Sequence, residues 1–158
     1  MKKIEQSLEF PSTLKVMAGV KNKRYDVEKM CKVMLHYVLG YYNISFSVVY
    51  NEPVIRHFST DDIKLEAILD HGKLPHTYVL YLATDSTTPL ETILSHEMVH
   101  LDQYERGDLQ LHKEDKLHFV WKGREYDPSM PYEDRPWEKE AFSHQYEIWK
   151  KAKKVYYG

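Results

Sequence analysis

The sequence predicts an α+β fold with a small mixed sheet, and three observations carry that expectation. Two segments, 44–50 and 77–84, are rich in β-branched and aromatic residues with near-alternation. Three longer segments, 26–39, 89–106 and 136–155, repeat apolar residues at helical spacing. These helices and strands are interspersed along 158 residues with no repeat, low-complexity tract or Gly/Ser linker, so a single domain over 1–158 is expected.

Over 26–39, Val27, Met30, Cys31, Met34, Leu35 and Val38 form one apolar face. Asp26 can cap the start and Gly40 can end the helix. The strand over 44–50 follows, and 54–58 reads as a second short strand. A short helix is expected over 61–70, capped by Ser59 or Thr60 and closed by Gly72. The segment 77–84 is the clearest strand. Thr88-Pro89-Leu90-Glu91 then combines an N-cap, a proline at the first helical position and a capping-box glutamate. That helix should run from 89 to about 106, with Gly107 as its stop. A hairpin over 117–126 turns near Lys122-Gly123, and 127–135 is a proline-containing loop. Pro136 opens a last helix to about Val155, with Trp137, Ala141, Ile148, Ala152 and Val155 as its stripe.

Bulk properties exclude several classes. The net charge of −2 gives no general pull toward nucleic acid or membranes. No apolar run approaches the ~18 residues of a membrane span. The first ten residues mix Lys2, Lys3, Glu5 and Glu9 with apolar positions, so no signal-peptide core is read there. One cysteine, Cys31, allows neither an internal disulfide nor a cysteine-based zinc ribbon. A cytoplasmic protein is the expectation. The 13 tyrosines are amphipathic packing and assign no function by themselves.

Chemistry concentrates in His96-Glu97-Met98-Val99-His100. Histidines four apart on a helix present both imidazoles on one face, one turn apart, where both can reach one Zn2+. The glutamate after the first histidine does not bind metal but takes a proton from water. A chain of this composition meets the pattern by chance at roughly 0.04 per chain.

A catalytic zinc needs a third protein ligand and an open position. A third histidine six residues after His100 is excluded, because position 106 is Arg106 and position 103 is Gln103 rather than glycine. Asp102 points to another helix face and is expected beyond the ligands or at the surface. Glu138 and Glu140 remain, on the last helix. They are about 200° apart and cannot both face one ion, and each flanks the apolar stripe. Glu140 shares its side with His144 one turn later, a polar partner of the kind that orients a ligand. Glu138 stays as the alternative.

Together, His96-Glu97-Met98-Val99-His100 and the later Glu140-Ala141 resemble the gluzincin class of zinc peptidases, and the short length resembles the minigluzincins. The segments Trp121-Lys122-Gly123, Tyr126 and 131–141 are similar to small zincin-like proteins of phages and bacteria, with SprT-like and ImmA/IrrE-like proteins as neighbours in general plan. The resemblance spans roughly 77–145. It implies a zincin-like fold, with an active-site helix and a C-terminal glutamate helix. His96, His100 and Glu140 would be zinc ligands and Glu97 the general base. The residue four after the ligand glutamate is commonly acidic in that class; here it is His144. The resemblance also implies that the strand 77–84 lines the cleft and pairs with an extended substrate.

His144 is expected to stabilise an oxyanion or to support a ligand; Tyr126, Tyr132 and Arg135 could do the same, although packing or salt bridging is the simpler role for each. His36, His57, His71, His76, His112 and His118 are expected to be incidental, and Lys150, Lys151, Lys153 and Lys154 to complement the helix end. The expected function is zinc-dependent hydrolysis of a protein or peptide substrate. A zinc-binding regulatory module and a SprT-like protease acting on DNA-bound protein are the rivals; nucleic acid is disfavoured by the charge and the missing ribbon. Residues 1–24 could mask the site.

Overall fold

The computed structural model describes residues 8–60, 64–71, 73–111 and 118–158. The chain is α+β. Its main sheet holds four strands, β1 (Lys15–Ala18), β2 (Ser45–Tyr50), β3 (Ala67–His71) and β4 (Thr77–Leu82), in the order β1-β2-β4-β3. β1, β2 and β4 are parallel, and β3 returns antiparallel along β4, so the sheet is mixed as expected. Alternation places Phe46 and Val48 of β2, and Tyr78, Leu80 and Leu82 of β4, in the core.

Helix α1 (Val27–Lys32) starts where the sequence places it, with the Asp26 side chain accepting from the Lys29 amide. It continues as a π-helical stretch, Val33–Val38. The wider turn buries three successive residues, Val33, Met34 and Leu35. Gly40 follows at φ +81°, a conformation open to glycine without strain.

Two expectations between β2 and β4 are overturned. Residues 54–58 belong to a helix, α2 (Glu52–Phe58), rather than a strand. The Asn51 side chain accepts from the Val54 amide and Pro53 sits in the first turn, a start signal stronger than the short apolar run. The expected helix over 61–70 is instead β3 in its second half: Ala67–His71 pairs from Ala67↔Leu82 to His71↔Tyr78. Backbone pairing with β4 overrides a helical spacing of only a few residues. Residues 61–63 and the proposed stop Gly72 lie outside the described residues.

α3 (Leu90–Arg106) ends at Gly107 as the sequence predicts. Its cap is Pro89, one residue later than expected, and no side chain caps it. Thr88 bonds to the Glu66 carboxylate instead. A second sheet, β5 (Leu109–Leu111), β6 (Phe119–Trp121) and β7 (Arg124–Tyr126), is antiparallel. The expected turn at Lys122-Gly123 is present, with φ +50° and +80°, a hairpin geometry that suits glycine second. Leu117 and His112 lie outside the described residues. α4 (Pro136–Tyr157) packs chiefly against α3. Trp137, buried with Leu109 and Trp121, fastens the second sheet to the start of α4.

Candidate metal centre

The faces of α3 and α4 that meet are mainly apolar but enclose a group of polar side chains. His96, Glu97 and His100 on α3 and Glu138 on α4 are buried, Glu138 to 4% exposure. His100 Nε2 is in close contact with Glu138 Oε1, and His96 Nε2 lies 3.4 Å from the same oxygen. The two imidazole rings stand 4.9 Å apart, edge to face. One ligand atom from each of His96, His100 and Glu138 falls within 4.8 Å of the others, so this group could hold a metal ion. Two further observations fit an ion there. Among the described residues Glu138 Oε2 is buried without a hydrogen-bond partner, an arrangement costly unless something else satisfies it. And each imidazole has its Nδ1 engaged elsewhere, His96 to Gln145 Oε1 at 2.9 Å and His100 to Gln103 Oε1 at 2.8 Å, which leaves Nε2 for the ion.

The charges are strongly perturbed. Burial would raise the Glu138 carboxyl, but the His100 charge and the hydrogen bonds around it hold it well below the usual carboxylate range. Burial likewise opposes protonation of His100, yet Glu138 outweighs it and pushes the pKa up to about 9. Glu97 moves the other way: burial raises it, only partly offset by His100 and His96.

Two adjoining clefts reach the centre. A cleft of about 310 Å³ is lined by Leu65, Ala67, His96, Glu97, Tyr132 and Phe142, among others. A smaller one of about 150 Å³ borders Glu97, His100, Tyr132 and Glu138. Glu97 and Tyr132 border both. Phe142 is half exposed at the rim, its ring 4.6 Å from that of His96.

Comparison with protein-family models, with curated proteins and with solved structures gave no match.

Three of the expected site residues, His96, Glu97 and His100, are thus brought together, and two are not. Glu140 does not reach the histidines. It lies on another side of α4, where Arg106 donates to it at 2.6 Å and Gln103 at 3.3 Å, and the Arg106 bond keeps its carboxyl below the usual range against the cost of burial. Glu138, the alternative, takes its place. His144 is exposed on that same outer side, in a charged groove with Asp102, Arg106 and Glu140, and touches none of the four. The side chain beside His96 from this turn of α4 is its neighbour, Gln145.

A sequence signal for both existed. Glu138, Ala141, Gln145, Ile148 and Ala152 follow one another at steps of three and four and are all buried. Extending the apolar stripe through its polar members selects Glu138 and Gln145 together.

Of the other candidates, Tyr132 borders Glu138, and burial together with the Glu138 charge pushes its phenol up. Tyr126 packs edge-on against Trp137, and Arg135 donates to the Met130 and Pro128 carbonyls, folding its own loop. Asp102 accepts from Tyr41 Oη at 2.5 Å and Arg106 Nε at 3.3 Å, a role at the rear of α3. His76 bonds Glu105, and His36 the Tyr41 carbonyl. The strand expected to pair with substrate, β4, is central and paired on both sides; β3 is the last strand in the order, and Leu65 and Ala67 carry its approach along the cleft. Of the segment 1–24 expected to mask the site, residues 1–7 lie outside the described residues, and 8–24 supply β1 and the buried Leu14 and Val20. No helix among the described residues is long and apolar enough to cross a membrane.

Proposed function

We propose that the protein is a zinc-dependent metallopeptidase of gluzincin-like plan, with His96, His100 and Glu138 as ligands and Glu97 as general base. The observation that carries this reading is the convergence of both Nε2 atoms on one oxygen of a buried Glu138 carboxylate, whose second oxygen has no hydrogen-bond partner among the described residues, beside a buried Glu97 that opens on a cleft. Two imidazoles and one carboxylate match a catalytic zinc site, which keeps a fourth position open. Bound zinc supplies Lewis acidity, polarising a carbonyl and acidifying water.

The chain's own groups do the rest. Glu97 takes one proton from water as its oxygen adds to the peptide carbonyl carbon. It returns that proton to the amide nitrogen as the C–N bond breaks, leaving a carboxylic acid and an amine. Tyr132, bordering both openings, is placed to donate to the oxyanion. An extended peptide can lie along the outer edge of β3, its backbone adding to the sheet and its side chains entering the clefts.

The test is Glu97→Gln against wild type. The variant should retain one zinc per chain by mass spectrometry and lose roughly 10²–10⁴ of its cleavage rate on a mixed peptide library. Undiminished cleavage by the variant would remove Glu97 from the mechanism, and a wild type that takes up no zinc would remove the reading altogether.

A further inference from the structure

Gln103 is fully buried, yet it is polar and lies between the two helices that carry the centre. Its side chain is completely engaged. Oε1 faces His100 Nδ1 at 2.8 Å, while Nε2 donates to the Trp137 carbonyl at 3.0 Å and to Glu140 Oε1 at 3.3 Å. Carbonyls and carboxylates can only accept. The amide of Gln103 must therefore turn its NH₂ toward Trp137 and Glu140, and its oxygen toward His100. An oxygen there requires a proton on His100 Nδ1, and that leaves the His100 Nε2 lone pair for a metal.

From this geometry we infer that Gln103 is a positioning residue which sets the tautomer of His100 and ties it to the start of α4, one residue before Glu138. Glu140 acts at one remove: held by Arg106 at 2.6 Å, it helps fix which way the Gln103 amide points. The chain Arg106–Glu140–Gln103–His100 thus connects the exposed rear of the helix pair to a metal ligand. The inference rests on the zinc reading above and adds to it residues that never touch the ion.

The experiment uses the full-length protein, stripped of metal and titrated with zinc ions against a chromophoric chelator, as wild type, Gln103→Met, Glu140→Ala and the double variant. Gln103→Met keeps length and bulk but loses both amide functions. It should bind zinc roughly 10–100-fold more weakly. Glu140→Ala should lose roughly two- to fivefold, and that loss should vanish in the Gln103→Met background, since both act through one amide. In the zinc-loaded, ¹⁵N-labelled protein, the His100 Nδ1–H resonance should be sharp in wild type and lost in Gln103→Met, with the Nδ1–H of His96, which bonds Gln145, unchanged. A purely structural role would move thermal stability without that pattern. If Gln103→Met does not fold, Glu140→Ala decides: an unaltered His100 Nδ1–H signal and unaltered affinity overturn the inference. Wild-type affinity in Gln103→Met, or equal Glu140 effects in both backgrounds, also overturns it while leaving the zinc reading intact. Failure of the wild type to bind zinc overturns both.

Discussion

Glu138 and Glu140 are two residues apart on α4 and belong to different worlds. Glu138 faces inward at 4% exposure, against two imidazoles, with one oxygen unpartnered among the described residues. Glu140 faces the rear groove, where Arg106 meets it at 2.6 Å in partial contact with solvent. Farther along each face the contrast repeats, with Gln145 buried on His96 two turns after Glu138 and His144 exposed one turn after Glu140. The two faces share a helix. What separates them is a rotation of about 200° per two residues, which turns one carboxylate into a candidate ligand and the other into a surface ion pair. A buried carboxylate with an open lone pair is costly and calls for an occupant; a half-exposed one is satisfied by a neighbouring guanidinium and contributes little.

The sharpest way to break this comparison is to neutralise each carboxylate in turn. Glu138→Gln should weaken zinc binding by roughly three orders of magnitude, as loss of one of three ligands implies, whereas Glu140→Gln should stay within about threefold. Competition with a chelator of known affinity measures both, and the reverse ranking would restore Glu140 as the ligand. Next in size is Trp137, which packs with Leu109 and Trp121 and presents Glu138 from the following position. Trp137→Ala should cost about 3–5 kcal/mol in urea unfolding of the metal-free protein. Loss of less than about 1 kcal/mol would mean that the second sheet does not anchor α4.

A third prediction uses pH. The His100 pKa is raised to about 9 by Glu138, so at neutral pH zinc must displace a proton to bind. Apparent affinity should therefore strengthen nearly tenfold per pH unit up to about 9 and level off above it. Calorimetry in buffers of different ionisation enthalpy reads the released proton directly. The sign for the metal-free fold is opposite. A raised folded-state pKa stabilises fully below the unfolded value of about 6.5 and loses that contribution as pH climbs through about 9. Urea midpoints with chelator present should thus fall across that interval. The smallest effect belongs to the outer face: His144→Ala should leave zinc affinity and any cleavage rate within about twofold, because its side chain reaches none of the centre's four residues.

Sequence reading reached the parts of this molecule that local rules govern. His96 and His100 are fixed by one turn of one helix, and Lys122-Gly123 by the handedness of a tight turn. β2, β4, α3 and α4 follow from periodicity over enough residues to be distinctive. It failed where the answer depends on partners distant in sequence. β3 is a strand because β4 pairs with it, and five residues have too little pattern of their own to say so. α2 is announced by the Asn51 cap and Pro53 rather than by the short apolar run over 54–58. Glu140 is favoured over Glu138 in the sequence only by sharing its side of the helix with His144. The stripe 138, 141, 145, 148, 152 would have decided it, had burial been allowed to include polar residues. Gln103 and Gln145 carry no motif; they become visible only when two helices bring them to imidazoles.

Cys31 has a practical consequence for every experiment above. It is the only cysteine, it is fully enclosed, and burial pushes its thiol up to about 12. Toward alkylating labels and mild oxidants the folded chain behaves as though it had no sulfur nucleophile at all. A cysteine introduced at exposed Phe142, beside His96 on the cleft rim, would be the single labelling position on the native molecule. A dye there would sit at the mouth of the cleft without any background engineering, and would report directly on what enters it.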